Sequence, residues 1–297
     1  MNRILLTGIV MTGIVLLAVL FGPSLPLVDK SMDQNLVVRD SDGALLVPPI
    51  PPSDEFLIGT DRKGVDLWSR LMVGARETFY ILGVILAVRL FAALLLSIGA
   101  FYSKGLRLLM DGWNAVFSFM PTIFIILILL AVPGVMFSDY RSFWVLIILA
   151  AVEVGRLALI FYENMEYQRR QTYMEAAVAN GGGRWTLFRN YYWPSLVREL
   201  VITAPMEAGR TMFLLVQLGV IGIYVNQQFF SQLDRSYRAV EMSDAWPVLL
   251  GNLRQDIYSA PWIPIAALIA MTFSILGFYI LAEGLKKRQA MKRRIQS

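Results

Sequence analysis

The sequence predicts an all-α integral membrane domain of six transmembrane helices, a core of five spans with one more at the N-terminus. Three observations carry that prediction. Of 297 residues, 57% are hydrophobic and 16% charged, whereas soluble domains run at about 45–50% and about 25%. Mean hydropathy is +0.57. The apolar residues gather in runs of about 20, enough to cross about 30 Å of hydrocarbon at about 1.5 Å per residue.

The first run, residues 4–22, follows a single basic residue, Arg3. It is longer than the about 7–15 apolar residues of a signal peptide, and Gly22-Pro23-Ser24-Leu25-Pro26 offers no small-residue cleavage site. Residues 1–22 therefore read as an uncleaved anchor. Residues 23–78 read as an extracytoplasmic segment. Within it, Val47-Pro48-Pro49-Ile50-Pro51-Pro52 favours an extended polyproline connector. Five spans follow, over residues 79–102, 113–137, 143–162, within 196–225, and 262–281. A short link around Asp139 and Arg141 makes the third and fourth a tight hairpin. Between Trp246-Pro247 and Pro261-Trp262, residues 248–256 suggest a short amphipathic helix at the outer interface. Most tryptophans (113, 144, 185, 193 and 262) fall near span ends, as interfacial belts do.

Charge orients the chain. With the N-terminus inside, inner segments hold 14 Lys and Arg and the longer outer segments hold 10. That bias predicts cytoplasmic N- and C-termini. The tail, residues 286–297, carries six basic residues and no acid. It suits anionic lipid at a membrane surface. It is too short, and lacks the folded module, for a nucleic-acid partner.

The chain contains no Cys and no His. Disulfides, Cys/His zinc sites, haem ligation by those residues and Ser-His-Asp or Cys-His catalysis are excluded. No dense Asp/Glu cluster suggests a carboxylate metal site. No catalytic residue is expected on this chain.

Five charged residues lie inside the spans: Arg89, Glu153, Arg156, Glu207 and Arg210. Each costs about 2.5–3.5 kcal/mol at mid-bilayer, so each must pair or face water. Glu153–Arg156 and Glu207–Arg210 have helical spacing and could neutralise themselves. The other reading is that they line or gate a polar path. Arg89 needs a partner from another helix, Glu153 or Glu207.

The connection between the fourth and fifth spans, residues 163–195, reads as helix, break, helix. Thr172 and Glu175 have capping-box spacing. Ala176, Ala177 and Ala179 form a small-residue helix, and Gly181-Gly182-Gly183 frees the backbone for a turn. The glycine run is not a phosphate-binding loop, because it follows a helix and lacks Lys-Ser/Thr. An exposed helix with small side chains suits close docking.

That segment resembles the EAA motif of membrane subunits of binding-protein-dependent ABC importers. Glu175-Ala176-Ala177, Gly181 and Pro194 stand at the motif's spacing, with Tyr191 and Trp193 where the motif has Ile and Leu. Leu57-Ile58-Gly59-Thr60-Asp61, Gly64-Val65-Asp66, Ser69-Arg70-Leu71 and Gly74-Ala75-Arg76 resemble the segment before the second span in oligopeptide, dipeptide and nickel permeases, of the second-permease type. Val65 replaces the usual Arg. The resemblance implies a type I ABC importer transmembrane domain with no ATPase of its own. It implies pairing with a second homologous permease, two cytoplasmic ATP-binding subunits that bind ATP and Mg, and an extracytoplasmic substrate-binding protein. It assigns the ATPase contact to Glu175, Ala176, Ala177, Gly181 and Pro194. Arg184 is added as a partner for an acidic groove residue, and Trp246 as a candidate contact for the binding protein. The implied cargo is a peptide. The alternative is a self-sufficient secondary transporter with the intramembrane charges as an ion relay, which broken helices would favour.

Overall fold

A computed structural model describes residues 3–26, 28–34, 37–39, 45–231 and 237–296. Helix α1 (Arg3–Phe21) leads through a short 3-10 turn into the long connector. Two residue pairs, β1 (Val38–Arg39) and β2 (Leu45–Leu46), form a small ladder there. Within the proline stretch Ile50 is buried, and its N–H donates to the Thr60 hydroxyl at 2.8 Å.

Helix α2 (Leu67–Tyr102) begins twelve residues before the expected span at residue 79. Its start is fixed by Asp66, whose carboxylate accepts the Ser69 N–H at 2.8 Å. The expected third span is broken into α3 (Lys104–Ser118) and α4 (Thr122–Leu130), bent by 94°. Pro121 explains the break, since it has no N–H to donate and disfavours helical geometry in the residue before it. A turn, α5 (Pro133–Met136), closes the hairpin to α6 (Arg141–Ala151). The fourth span is interrupted at Val152–Glu153 and resumes as α7 (Val154–Arg169).

The loop then forms α8 (Thr172–Ala179), α9 (Arg184–Leu187) and a π turn (Phe188–Tyr192) that runs straight into α10 (Trp193–Ile221). Strands β3 (Gln227–Ser231) and β4 (Tyr237–Glu241) pair antiparallel. A 3-10 turn (Trp246–Leu250) and α11 (Leu253–Ser259) occupy the place of the expected amphipathic helix. Finally α12 (Trp262–Gln296) continues helical well past residue 281. Lys292, Arg293 and Arg294 of the basic tail lie outside the described side chains.

Among the described residues, four helical stretches are long and apolar enough to cross a membrane, and five if the bent α3–α4 pair counts as one. Helix α10, at 29 residues, is as long but carries Arg198, Glu199, Glu207 and Arg210. Helices α1 and α12 pack antiparallel at backbone distance. A Cβ on Gly8 would lie 2.5 Å from the Leu281 nitrogen, and one on Gly284 2.5 Å from the Leu5 Cα. Small residues at such crossings let dispersion act between backbones where lipid offers no hydrophobic drive. The pairing brings both chain ends to one end of the bundle. The α8–α9 loop lies there too, since the Gln289 amide donates to the Arg198 carbonyl at 3.2 Å.

Candidate functional site

Three helices, α2, α7 and α10, bring the intramembrane charges together. Arg89 of α2 is fully buried. It donates to Glu207 of α10 at 3.3 Å, to the Thr211 hydroxyl at 2.9 Å and to the Leu149 carbonyl at 2.6 Å. Arg156 of α7 bridges both carboxylates, reaching Glu153 and Glu207 at 2.6 and 2.7 Å. Thr122, at the start of α4, donates to the second Glu153 oxygen at 2.6 Å. The break in the fourth span is part of this arrangement. It frees the carbonyls of Leu149 and Ala151, and Arg89 and the Trp113 indole occupy them, the latter at 3.1 Å. Non-helical backbone at membrane depth is tolerated when protein groups satisfy it in this way. Trp113 is thus a partner of the break rather than part of an interfacial belt.

Of the two self-neutralising pairs, Glu153–Arg156 is present. Glu207–Arg210 is not the main pairing. Its nearest approach is 3.9 Å, while Glu207 is fully buried and already held by Arg89 and Arg156. Arg210 points outward, 43% exposed.

In the 163–195 loop, Glu175 and Ala176 are exposed on α8, and Met174 is buried in a hydrophobic cluster that includes Phe161, Met165 and Leu196. The capping box does not form: Thr172 opens the helix, and the cap position falls on Gln171, which makes no side-chain capping bond. Gly181 has φ +80°, which ends α8 as a left-handed turn. Arg184 is exposed at the start of α9 and lines a shallow cavity of about 390 Å³ with Ile98, Tyr102, Trp185 and Phe188. Pro194 is the second residue of α10, directly after the π turn.

A thread of polar side chains ties this loop to the spans. The Tyr173 hydroxyl donates to the Gln168 carbonyl. Gln168 donates to Ser195 at 2.9 Å, Ser195 to Asn164 at 2.8 Å, and Asn164 to Glu199 at 3.3 Å. The sequence reading named none of these residues, nor Thr122 or Thr211. Their polar type inside apolar helices was the available signal, but apart from the local Tyr173–Gln168 bond their partners are 27 or more residues away.

At the other end, the Gly59–Arg76 segment is a clasp. Asp61 accepts the N–H groups of Lys63 and Val65 at 2.8 and 2.9 Å and pairs with buried Arg70. Gly59 needs its φ of +82°, and a Cβ there would meet the Ile50 carbonyl at 2.7 Å. Arg62 binds Asp256 at 2.6 Å and Lys63 binds Glu241 at 3.1 Å. Burial raises the Glu241 pKa, but hydrogen bonding and Lys63 outweigh it and hold the carboxyl below its ordinary value. Trp246 is corrected by this region. It is 4% exposed, its indole donates to the Leu71 carbonyl at 2.8 Å, and Phe79 packs against it edge-on at 5.8 Å. An anchor spent on the core has no surface to offer a binding protein.

The chain is similar to the glutathione transport system permease protein GsiD of Pectobacterium atrosepticum, 24% identical over 83% of this chain and 75% of that protein. It is 26% identical to the GsiD protein of Escherichia coli O6:K15:H31, over 79% and 72%. It is 22% identical to the dipeptide transport system permease protein DppC of Alkalihalophilus pseudofirmus, over 79% and 71%. Residues 80–293 match the model of the binding-protein-dependent transport system inner membrane component, and they hold both the buried charge cluster and the α8–α9 loop. The chain therefore belongs to the family of binding-protein-dependent transport system inner membrane components.

Proposed function

We propose that this chain is one of two homologous permeases of an ATP-driven importer whose cargo is a peptide. ATP and Mg bind to two partner subunits on the cytoplasmic side, and an extracytoplasmic binding protein delivers the cargo. The termini and the α8–α9 loop face the cytoplasm. Glu175, Ala176, Ala177, Gly181, Arg184 and Pro194 form the surface that meets an ATPase subunit. The observation that carries this reading is α8 itself: a small-residue helix that exposes Glu175 and Ala176 and is fixed by Met174 and the Tyr173 thread. Such a helix can receive a push from a docked subunit and hand it to α7 and α10. Arg89, Glu153, Arg156, Glu207 and Arg210 then sit beside the translocation path or its gate.

Broken helices are present at residues 119–121 and 152–153, as a secondary transporter would have. The carbonyls freed at the second break are occupied by Arg89 and Trp113, which leaves them without an ion to coordinate. Membership of a binding-protein-dependent family argues in the same direction. The test is a tagged pull-down from native membranes, comparing wild type with Glu175→Lys. Recovery of an ATP-binding subunit and a second permease, with the ATPase lost in the variant, supports the proposal. Recovery of the chain alone, where a control complex stays intact, refutes it.

A further inference from the structure

The buried cluster does not balance. Three guanidinium groups, on Arg89, Arg156 and Arg210, face two carboxylates, on Glu153 and Glu207, leaving one positive charge. The surplus lies at the exposed end. Arg89 is fully buried and makes three hydrogen bonds. Arg156, 27% exposed, is engaged with both carboxylates. Arg210 makes no hydrogen bond to any described residue. Its nearest acidic oxygen, Glu207 Oε1 at 3.9 Å, is already held by Arg156 at 2.7 Å. Two partly exposed guanidinium groups thus converge on one spent oxygen.

The depth makes this informative. Helix α10 runs from Trp193 to Ile221, so Glu207 is its middle residue and Arg210 lies one turn beyond. A bare charge at that depth does not face lipid. Gln217 lies two turns further along the same side of α10, with Met206 and Phe213 between and beside the two polar residues at helical spacing. Gln217 has no hydrogen-bond partner among the described residues, and Phe213 is 51% exposed.

We propose that Arg210, with Arg156 behind it, forms a mid-membrane subsite for a carboxylate on the transported molecule, such as the C-terminal carboxylate of a peptide. The site rests on the importer reading above. A carboxylate satisfies the surplus charge and accepts two parallel N–H bonds from a guanidinium. Because Arg156 and Glu207 fix the neighbouring groups, the site is in place before cargo arrives. The carboxylate is held through one partly exposed guanidinium, which suits a path that must also release it.

The test uses the whole importer with its binding protein in proteoliposomes. Uptake of radiolabelled dialanine is compared with that of its C-terminal amide, for wild type, Arg210→Lys and Arg210→Gln. The binding protein is common to all three, so its own selectivity cancels. Arg210→Gln should lower uptake of the free acid by about ten- to a hundredfold more than uptake of the amide, while Arg210→Lys keeps most of the preference. Equal loss for both probes makes Arg210 a packing residue and overturns the proposal. A second arm needs no cargo. In this cysteine-free chain, Phe213→Cys is labelled in the assembled complex with anionic and cationic thiosulfonates. Faster anionic labelling that disappears with Arg210→Gln supports a free charge facing water. Equal rates mean that a carboxylate of the second permease neutralises Arg210, and the proposal fails even if ATPase docking and transport stand.

Discussion

Removing Glu207 should be among the most damaging single changes to this fold. In Glu207→Leu, Arg89 keeps Thr211 and the Leu149 carbonyl but loses its only carboxylate, at 3.3 Å, and Arg156 loses one of two. At 3.3 Å and an effective dielectric of about 20, the Arg89 pair alone is worth about 5 kcal/mol before desolvation. Breaking a buried pair and stranding the cation costs about 3–5 kcal/mol. At about 2–4 °C per kcal/mol for a chain of this order of size, the thermal midpoint should fall by roughly 6–20 °C. The assay is thermal unfolding of the purified chain in mild detergent, followed by tryptophan fluorescence and far-UV circular dichroism. The double variant Arg89→Leu/Glu207→Leu removes the stranded charge and should be less damaged than the sum of the singles by about 1–3 kcal/mol. A Glu207→Leu midpoint within about 2 °C of wild type, with additive singles, would refute the claim that this cluster holds α2, α7 and α10 together.

Other outcomes follow from the same contacts. Trp246→Ala empties a core position and removes the indole bond to the Leu71 carbonyl, and should cost about 3–5 kcal/mol in the same unfolding assay without changing binding-protein affinity of refolded material. Gly284→Leu puts side-chain atoms where the Leu5 backbone lies and should cost about 1–3 kcal/mol, read as loss of protease protection of α1 before the other spans. Lys63→Met tests a titration. The Glu241 carboxyl is held below its ordinary value, so the stability it lends is present above the ordinary value and is lost as pH falls through the lower folded value. Wild type should be the more stable at neutral pH, and the two proteins should converge once the pH has fallen through that lowered value; a gap that stays constant through the acid range would exclude the Lys63 pairing as its source.

The sequence alone determined the membrane class, the approximate place of most spans and the form of the 163–195 loop. These are local or compositional properties: run length, lysine and arginine bias, a glycine triplet, a motif at fixed spacing. It also required Arg89 to find an acid on another helix, since no neighbour at helical spacing could serve. Which acid, and that Arg156 would displace Arg210 as the partner of Glu207, was decided by tertiary structure, because distances across helices are absent from spacing along one. The same holds for Trp246. Its position beside the helix-breaking Pro247 looks like a surface loop, yet Glu77 and Thr78 of α2 accept the Asp244 and Trp246 N–H groups at 2.7 and 2.9 Å, and that loop lies on α2 with the indole buried. The breaks at residues 119–121 and 152–153 divide the two sources. Pro121 announces the first in the sequence. The second has no proline or glycine, and exists because Arg89 and Trp113 reach across from other helices to satisfy the carbonyls it frees.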